Sequence, residues 1–152
     1  MNVNEKIPKG LPAEETIKRI NDLGGMAVIA HPFAWPHNFR GDLRSLFQEC
    51  SGFSLGIEAY NASVPGIFNE KALRLAKELG LPFTAGSDAH GAGFIGRACL
   101  EIPGNNLSPE MVLEEVKKKS GKIIKKKTTF LERIRWEAKR DIQKLKNRRL
   151  RV

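Results

Sequence analysis

His31, Glu58 and Asp88 lie 27 and 30 residues apart, each at or just beyond the end of a short apolar run. Their settings are Ala30-His31-Pro32, Ile57-Glu58-Ala59-Tyr60-Asn61 and Gly86-Ser87-Asp88-Ala89-His90-Gly91. That spacing is about the length of one strand–helix–strand repeat. The runs Met26–Ala30, Leu55–Ala59 and Pro82–Ala85 accordingly read as buried parallel strands. Residues that close such strands collect on one rim of a parallel sheet or barrel, where α/β enzymes build their sites. Imidazole and carboxylate on a common rim suggest a metal centre.

Asp88-Ala89-His90 is the most specific of the three clusters. In extended chain, residues i and i+2 point to one side, so both side chains can address a single cation. Gly86 and Gly91 permit the turns that a strand-end loop needs. Carboxylate oxygen with imidazole nitrogen suits Zn²⁺, Mn²⁺ or Fe²⁺ better than Ca²⁺ or Mg²⁺. The plainer alternative makes Asp88 a cap or turn residue and His90 a surface histidine. His31 precedes Pro32, and proline keeps the residue before it extended. Held there it is a ligand, a proton shuttle or a buried core histidine.

Glu58 follows a strictly apolar strand and is expected to be partnered, in a role such as orienting a histidine from behind. Asn61 either caps its loop or reaches substrate. Arg97 either grips a phosphate in bidentate fashion or pairs with a helix carboxylate. His37, between Pro36 and Asn38, reads as solvent-exposed.

The elements that must position these groups follow from periodicity. A helix is expected over about 13–23, with Ala13, Ile17 and Ile20 on one face and Gly24-Gly25 as its stop. Leu43, Leu46, Phe47 and Cys50 define an amphipathic helix over 42–50. A third helix spans about 66–79 on the stripe Phe68, Ala72, Leu75, Ala76 and Leu79, ended by Gly80 and Pro82. Strands are expected over 55–60, 82–87 and Ala98–Ile102. Ser108 as N-cap and Pro109 at the first helical position open a helix running to about 119. A Lys-rich link over 122–127 then leads to a last helix at about 129–149. The β-α-β-α-β order argues for an α/β protein with parallel strands.

Composition bounds the function. At 152 residues the chain is one domain of ordinary size, short of the roughly 250 residues of a complete eight-unit barrel. No run approaches the ~18 apolar residues of a membrane span, and the first residues do not resemble a signal peptide. Cys50 and Cys99 stand alone, which points to reduced thiols and a cytoplasmic location. Residues 1–116 carry 10 Lys+Arg against 14 Asp+Glu, whereas residues 117–152 carry 16 against 3. The net charge of +9 is therefore −4 in the body and +13 in the last 36 residues. Such a segment is either a solvated helix packed by its apolar stripe, a nucleic-acid-binding element, or a membrane-surface helix. Trp136, off that stripe, could stack on a base or rest against the body.

The run Gly24-Gly25-Met26-Ala27-Val28-Ile29-Ala30-His31-Pro32 resembles the late His-Pro motif of the polymerase-and-histidinol-phosphatase (PHP) superfamily. Gly80-Leu81-Pro82-Phe83-Thr84-Ala85-Gly86-Ser87-Asp88-Ala89-His90 resembles its final Asp-x-His motif, and Gly56–Asn61 with the following helix is similar to the same family. The resemblance covers roughly residues 7–103. It implies the C-terminal part of a distorted TIM-like barrel, a cluster of divalent metal ions (Zn, Mn or Fe), and hydrolysis of a phosphate ester. By motif, His31 would be a ligand to one metal, and Asp88 and His90 would serve others in the cluster; Glu58 matches no ligand position and would support the site. Asn61 and Arg97, read from the residues alone, would sit behind the ligands or touch substrate.

Family members begin with a His-x-His strand, and no histidine precedes His31 here. The expectation is thus a truncated PHP unit over 1–121 with a basic linker and amphipathic helix over 122–152. It would bind metal weakly and have little activity alone. It would also associate with itself or with an N-terminal half, because a half-barrel leaves open edges and an uncovered apolar face. The alternative is a non-catalytic module that holds nucleic acid through 117–152.

Overall fold

The computed structural model describes residues 2–35 and 39–126. The expected helix over 129–149, Trp136 and His37 lie outside these residues. The order is α1 (Ala13–Asp22), β1 (Ala27–Ile29), α2 (Leu43–Glu49), β2 (Leu55–Asn61), α3 (Gly66–Glu78), β3 (Phe83–Gly86), a 3-10 turn (Ala92–Phe94), β4 (Ala98–Glu101), α4 (Pro109–Lys117) and β5 (Lys122–Lys125).

β1, β2 and β3 form a parallel sheet in that order, with Ala27 opposite Leu55 and Ile57 opposite Phe83. β2 is central, and its Ile57 is fully buried. Gly56 in the same strand has no room for a side chain. An added Cβ would lie 2.3 Å from Met26 Cε and 2.7 Å from the Pro82 carbonyl oxygen.

Strict alternation along the first strand sends its residues to two cores. Ala27 and Ile29 join Ile17 of α1, Leu43, Leu46 and Phe47 of α2, and Leu75 and Ala76 of α3. Met26 and Val28 instead meet Leu113 and Val116 of α4, with Leu100 and Ile102. α4 thus covers this face of the sheet at β1. Among the described residues β1 has a ladder partner on one side only.

The three amphipathic helices form as the periodicity predicts, each within about two residues of its expected ends. α2 starts at Asp42, whose carboxylate accepts from the Arg44 amide (3.0 Å) and the Ser45 hydroxyl (2.7 Å). α4 starts at Ser108, whose Oγ accepts from the Met111 amide at 3.3 Å.

Two expectations are corrected. Residues 122–125, expected in a Lys-rich link, form β5, antiparallel to β4, with Ile123 opposite Leu100 and Ile124 opposite Cys99. Two adjacent isoleucines give this stretch β propensity that the flanking lysines hide. Strand 98–102 thereby belongs to a separate two-stranded sheet. The described strands do not close into a barrel: they make a three-stranded parallel sheet and an antiparallel pair.

Candidate metal centre

The three parallel strands end side by side, and their C-terminal loops carry the candidate residues. His31 follows β1 directly after Ala30, Glu58 and Asn61 lie in β2, and Asp88 and His90 follow β3. The binding element between them is Glu58, half-buried at the centre of the sheet. Its Oε2 accepts from the His31 backbone N–H at 2.7 Å and from Asn61 Nδ2 at 3.1 Å. Its Oε1 lies 2.9 Å from where a Cβ on Gly86 would stand, so the glycine at the end of β3 admits the carboxylate. One side chain thus touches all three strand ends.

Glu58 and Asn61 are three residues apart, and in a regular strand they would point to opposite faces. The ladder slips between Glu58 and Tyr60: Glu58 pairs with Thr84, yet Tyr60 pairs with Ala85. This irregularity turns both side chains to one side, a use of bulges that recurs beside active sites. Asn61 is then locked in place. Its amide N–H donates to Asn69 Oδ1, Asn69 Nδ2 returns to its carbonyl (both 3.0 Å), and its Oδ1 accepts from the Ser63 amide at 2.8 Å. Both asparagines are buried. Asn61 Oδ1 thereby caps the turn at Ser63.

Glu58 meets the His31 backbone, not the imidazole, so it sets where the histidine begins and not how its ring turns. His31 itself has φ +27°, and Asp88 has φ +45°. Neither backbone is extended as the sequence suggested; Pro32 does not hold His31 in the β region. Non-glycine residues in left-handed conformations are costly and cluster at functional sites. Ser63 Oγ lies 3.0 Å from the carbonyl oxygens of both Ser87 and Asp88, sharing its one proton between them, and so braces the turn that holds Asp88.

Asp88 and His90 come together through this turn, not through strand alternation. His90 Nδ1 lies 2.9 Å from the Asp88 carbonyl oxygen and 4.0 Å from Asp88 Oδ1. With Nδ1–H donating to the carbonyl, the tautomer is the one whose Nε2 bears the lone pair, as in metal-binding histidines. The pair is open to solvent, His90 at 62% and Asp88 at 35% side-chain exposure.

His31 differs. Its Nδ1 is buried and has no hydrogen-bond partner among the described residues. A buried polar atom without a partner costs about 1–3 kcal/mol, and an ion is one of the things that can satisfy it. This orphan nitrogen and the Asp88–His90 pair are the donor types a nitrogen- and oxygen-preferring divalent cation takes. Among the described residues, however, no group of three or more His, Cys, Asp or Glu gathers closely enough to hold a metal.

Arg97 is turned onto its own loop. Its Nε donates to the Gly93 carbonyl at 3.2 Å and its guanidinium lies 4.3 Å from the Phe94 ring centroid. Asn69 and Ser63 escaped the sequence reading. Asn69 could have been found, since it sits three and seven residues before Ala72 and Ala76 on the buried stripe of α3; nothing in the sequence marks Ser63.

Residues 66–120, from α3 through the end of α4, match a family model described as PHP-associated. The match includes Asp88, His90 and Arg97, so over these residues the chain is similar to a PHP-associated region. Uncharacterized protein MJ1587 of Methanocaldococcus jannaschii is 40% identical over 79 residues, covering 51% of this chain and 43% of that protein. Uncharacterized protein MJ0417 of the same organism is 28% identical over 148 residues, covering 88% and 62% respectively. The chain thus spans about two-fifths to three-fifths of the length of these relatives. No described helix is long and apolar enough to cross a membrane, and Cys50 and Cys99 are both free.

Proposed function

We propose that this chain contributes part of a metal-dependent phosphoesterase site of the PHP type, with His31, Asp88 and His90 as ligands to divalent cations. The observation that carries the reading is the buried Nδ1 of His31, without a hydrogen-bond partner among the described residues, at the end of a strand tied through Glu58 to the strand that leads to Asp88 and His90. Cations held by His31, Asp88 and His90 would supply Lewis-acid polarisation of the ester and neutralisation of charge on the phosphoryl oxygens. The chain's own part is to fix donors: Glu58 and Asn61 set the strand ends, and Ser63 braces the Asp88 turn. Further ligands must come from outside the described set. The outer edge of β1 is where another strand would add, from a second copy or from a longer polypeptide.

Hydrolysis of a generic aryl phosphate, with and without Mn²⁺ or Zn²⁺, tests the activity. A slow, cation-dependent rate is expected, falling at least about tenfold in Asp88→Asn. A rate indifferent to both chelator and substitution would refute the reading.

A second reading rests on charge. The +13 carried by residues 117–152 is a footprint for nucleic-acid phosphates. Within its described part the cations are largely engaged: Lys117 and Lys118 pair with Glu114 and Glu115, Lys119 donates to the Gly80 carbonyl, and Lys125 lies over the Tyr60 ring. The binding role would therefore fall to residues 127–152.

A further inference from the structure

A cleft of about 500 Å³ opens between α2 and α3 beneath the loop that follows His31. None of His31, Glu58, Asp88 and His90 lines it, so it is distinct from the candidate metal centre. Its walls combine Phe33, Leu43 and Leu75 with three cations, Arg44, Lys71 and Arg74. The two carboxylates present are already committed. Glu78 pairs with Arg44, and Asp42 caps α2 through the Arg44 amide and the Ser45 hydroxyl.

Lys71 and Arg74 are left over. They stand three residues apart on one face of α3, and among the described residues neither has a hydrogen-bond or ion-pair partner. By contrast Lys18, Arg19, Arg44, Lys117 and Lys118 each pair with a carboxylate. Two uncompensated cations beside an apolar wall form an amphipathic recess. Its volume lies within the range of about 300–1,000 Å³ common for small-ligand sites.

We propose that this cleft binds a small organic phosphate, its phosphoryl group on Lys71 and Arg74 and its apolar portion against Phe33, Leu43 and Leu75. Arginine offers the paired N–H donors that match phosphoryl oxygens, and lysine adds a mobile point charge. The phenyl ring of Phe33 favours a ligand with a planar ring, so a nucleoside monophosphate is the matching probe.

Calorimetric titration of the full chain with AMP, adenosine and inorganic phosphate tests the proposal. AMP is expected to bind one per chain, at least about tenfold more tightly than either fragment. Lys71→Ala and Arg74→Ala should each weaken AMP binding by about tenfold or more. Lys18→Ala, on α1, should leave it unchanged. Circular dichroism checks that each variant is folded, and Arg74→Gln replaces Arg74→Ala if that variant is not. Absence of AMP binding at millimolar concentration overturns the proposal. So does AMP binding that survives the Lys71→Ala/Arg74→Ala double substitution, which would move the site to the candidate metal centre or to the basic C-terminal segment. Phosphate binding as tight as AMP would overturn the apolar half of the assignment.

Discussion

Glu58 holds the ends of three strands with one carboxylate. Removing it leaves the His31 N–H and the Asn61 amide without their acceptor, which costs about 1–3 kcal/mol for each group that stays buried. Glu58→Ala is therefore expected to lower stability by an amount of that order in urea denaturation. Gly86→Ala should destabilise for a related reason, since its new Cβ would crowd Oε1 at 2.9 Å. The two effects share one cause and should not add: with Glu58 already alanine, Gly86→Ala should cost clearly less than it does alone. Equal costs in both backgrounds would mean the two residues do not meet. At this scale the sequence was half legible. A glutamate after an apolar strand announced that it would be partnered, but a backbone N–H as the partner left no trace in residue types. The left-handed φ of His31 was similarly hidden, because a following proline argues for extended chain and a strand-end turn overrides it.

Among the elements, helices with an apolar stripe and a sharp stop could be read almost to the residue. α2 is the clearest, because Leu43, Leu46, Phe47 and Cys50 are all buried as their spacing requires. Its cap has a pH signature. The Ser45 hydroxyl, and then the Arg44 amide, hold the Asp42 carboxyl below its ordinary value of 3.8. A carboxyl lowered on folding stabilises the fold above its unfolded pKa, and that contribution disappears as pH falls through the lowered value. The first turn of α2 should thus be tight at neutral pH and loosen only below about pH 3.8. The amide shifts of Arg44 and Ser45, followed by NMR, should titrate there in the native protein and lose this step in Asp42→Asn. Shifts that titrate identically in both would remove the cap from the account. Short strands were harder to read. β5 was obscured because four residues, two of them lysine, carry too little period to separate strand from link. The slip at Glu58–Tyr60 was unreadable, since a bulge is a property of the pairing and not of either strand alone.

In the whole molecule, charge and fold are divided along the chain. The body that builds the sheet is mildly acidic, and the basic residues come after α4 begins to end. If residues 127–152 hold nucleic acid, affinity for a duplex should fall steeply with added salt, in proportion to the phosphates neutralised. Arg148→Glu/Arg149→Glu/Arg151→Glu should weaken binding and flatten that salt dependence in a gel-shift or anisotropy titration. Binding that ignores salt would exclude the reading. The α/β class and the parallel order of the first three strands were legible because the βα repeat sets both. Barrel closure was not, because it depends on strands whose partners the repeat alone does not name. The same is true of the candidate site: its residue types were visible, whereas their convergence depends on bulge and turn geometry.

His31, Asp88 and His90 are proposed as ligands to divalent cations, His31 to one and the Asp88–His90 pair to others. Calorimetric titration of the metal-free full chain with Zn²⁺ and Mn²⁺ tests this assignment most directly. Saturable but weak binding is predicted, lost in Asp88→Ala and His90→Ala, reduced in His31→Ala, and unchanged in His37→Ala. No binding by the native chain, or the same affinity in Asp88→Ala and His90→Ala as in the native chain, would contradict it.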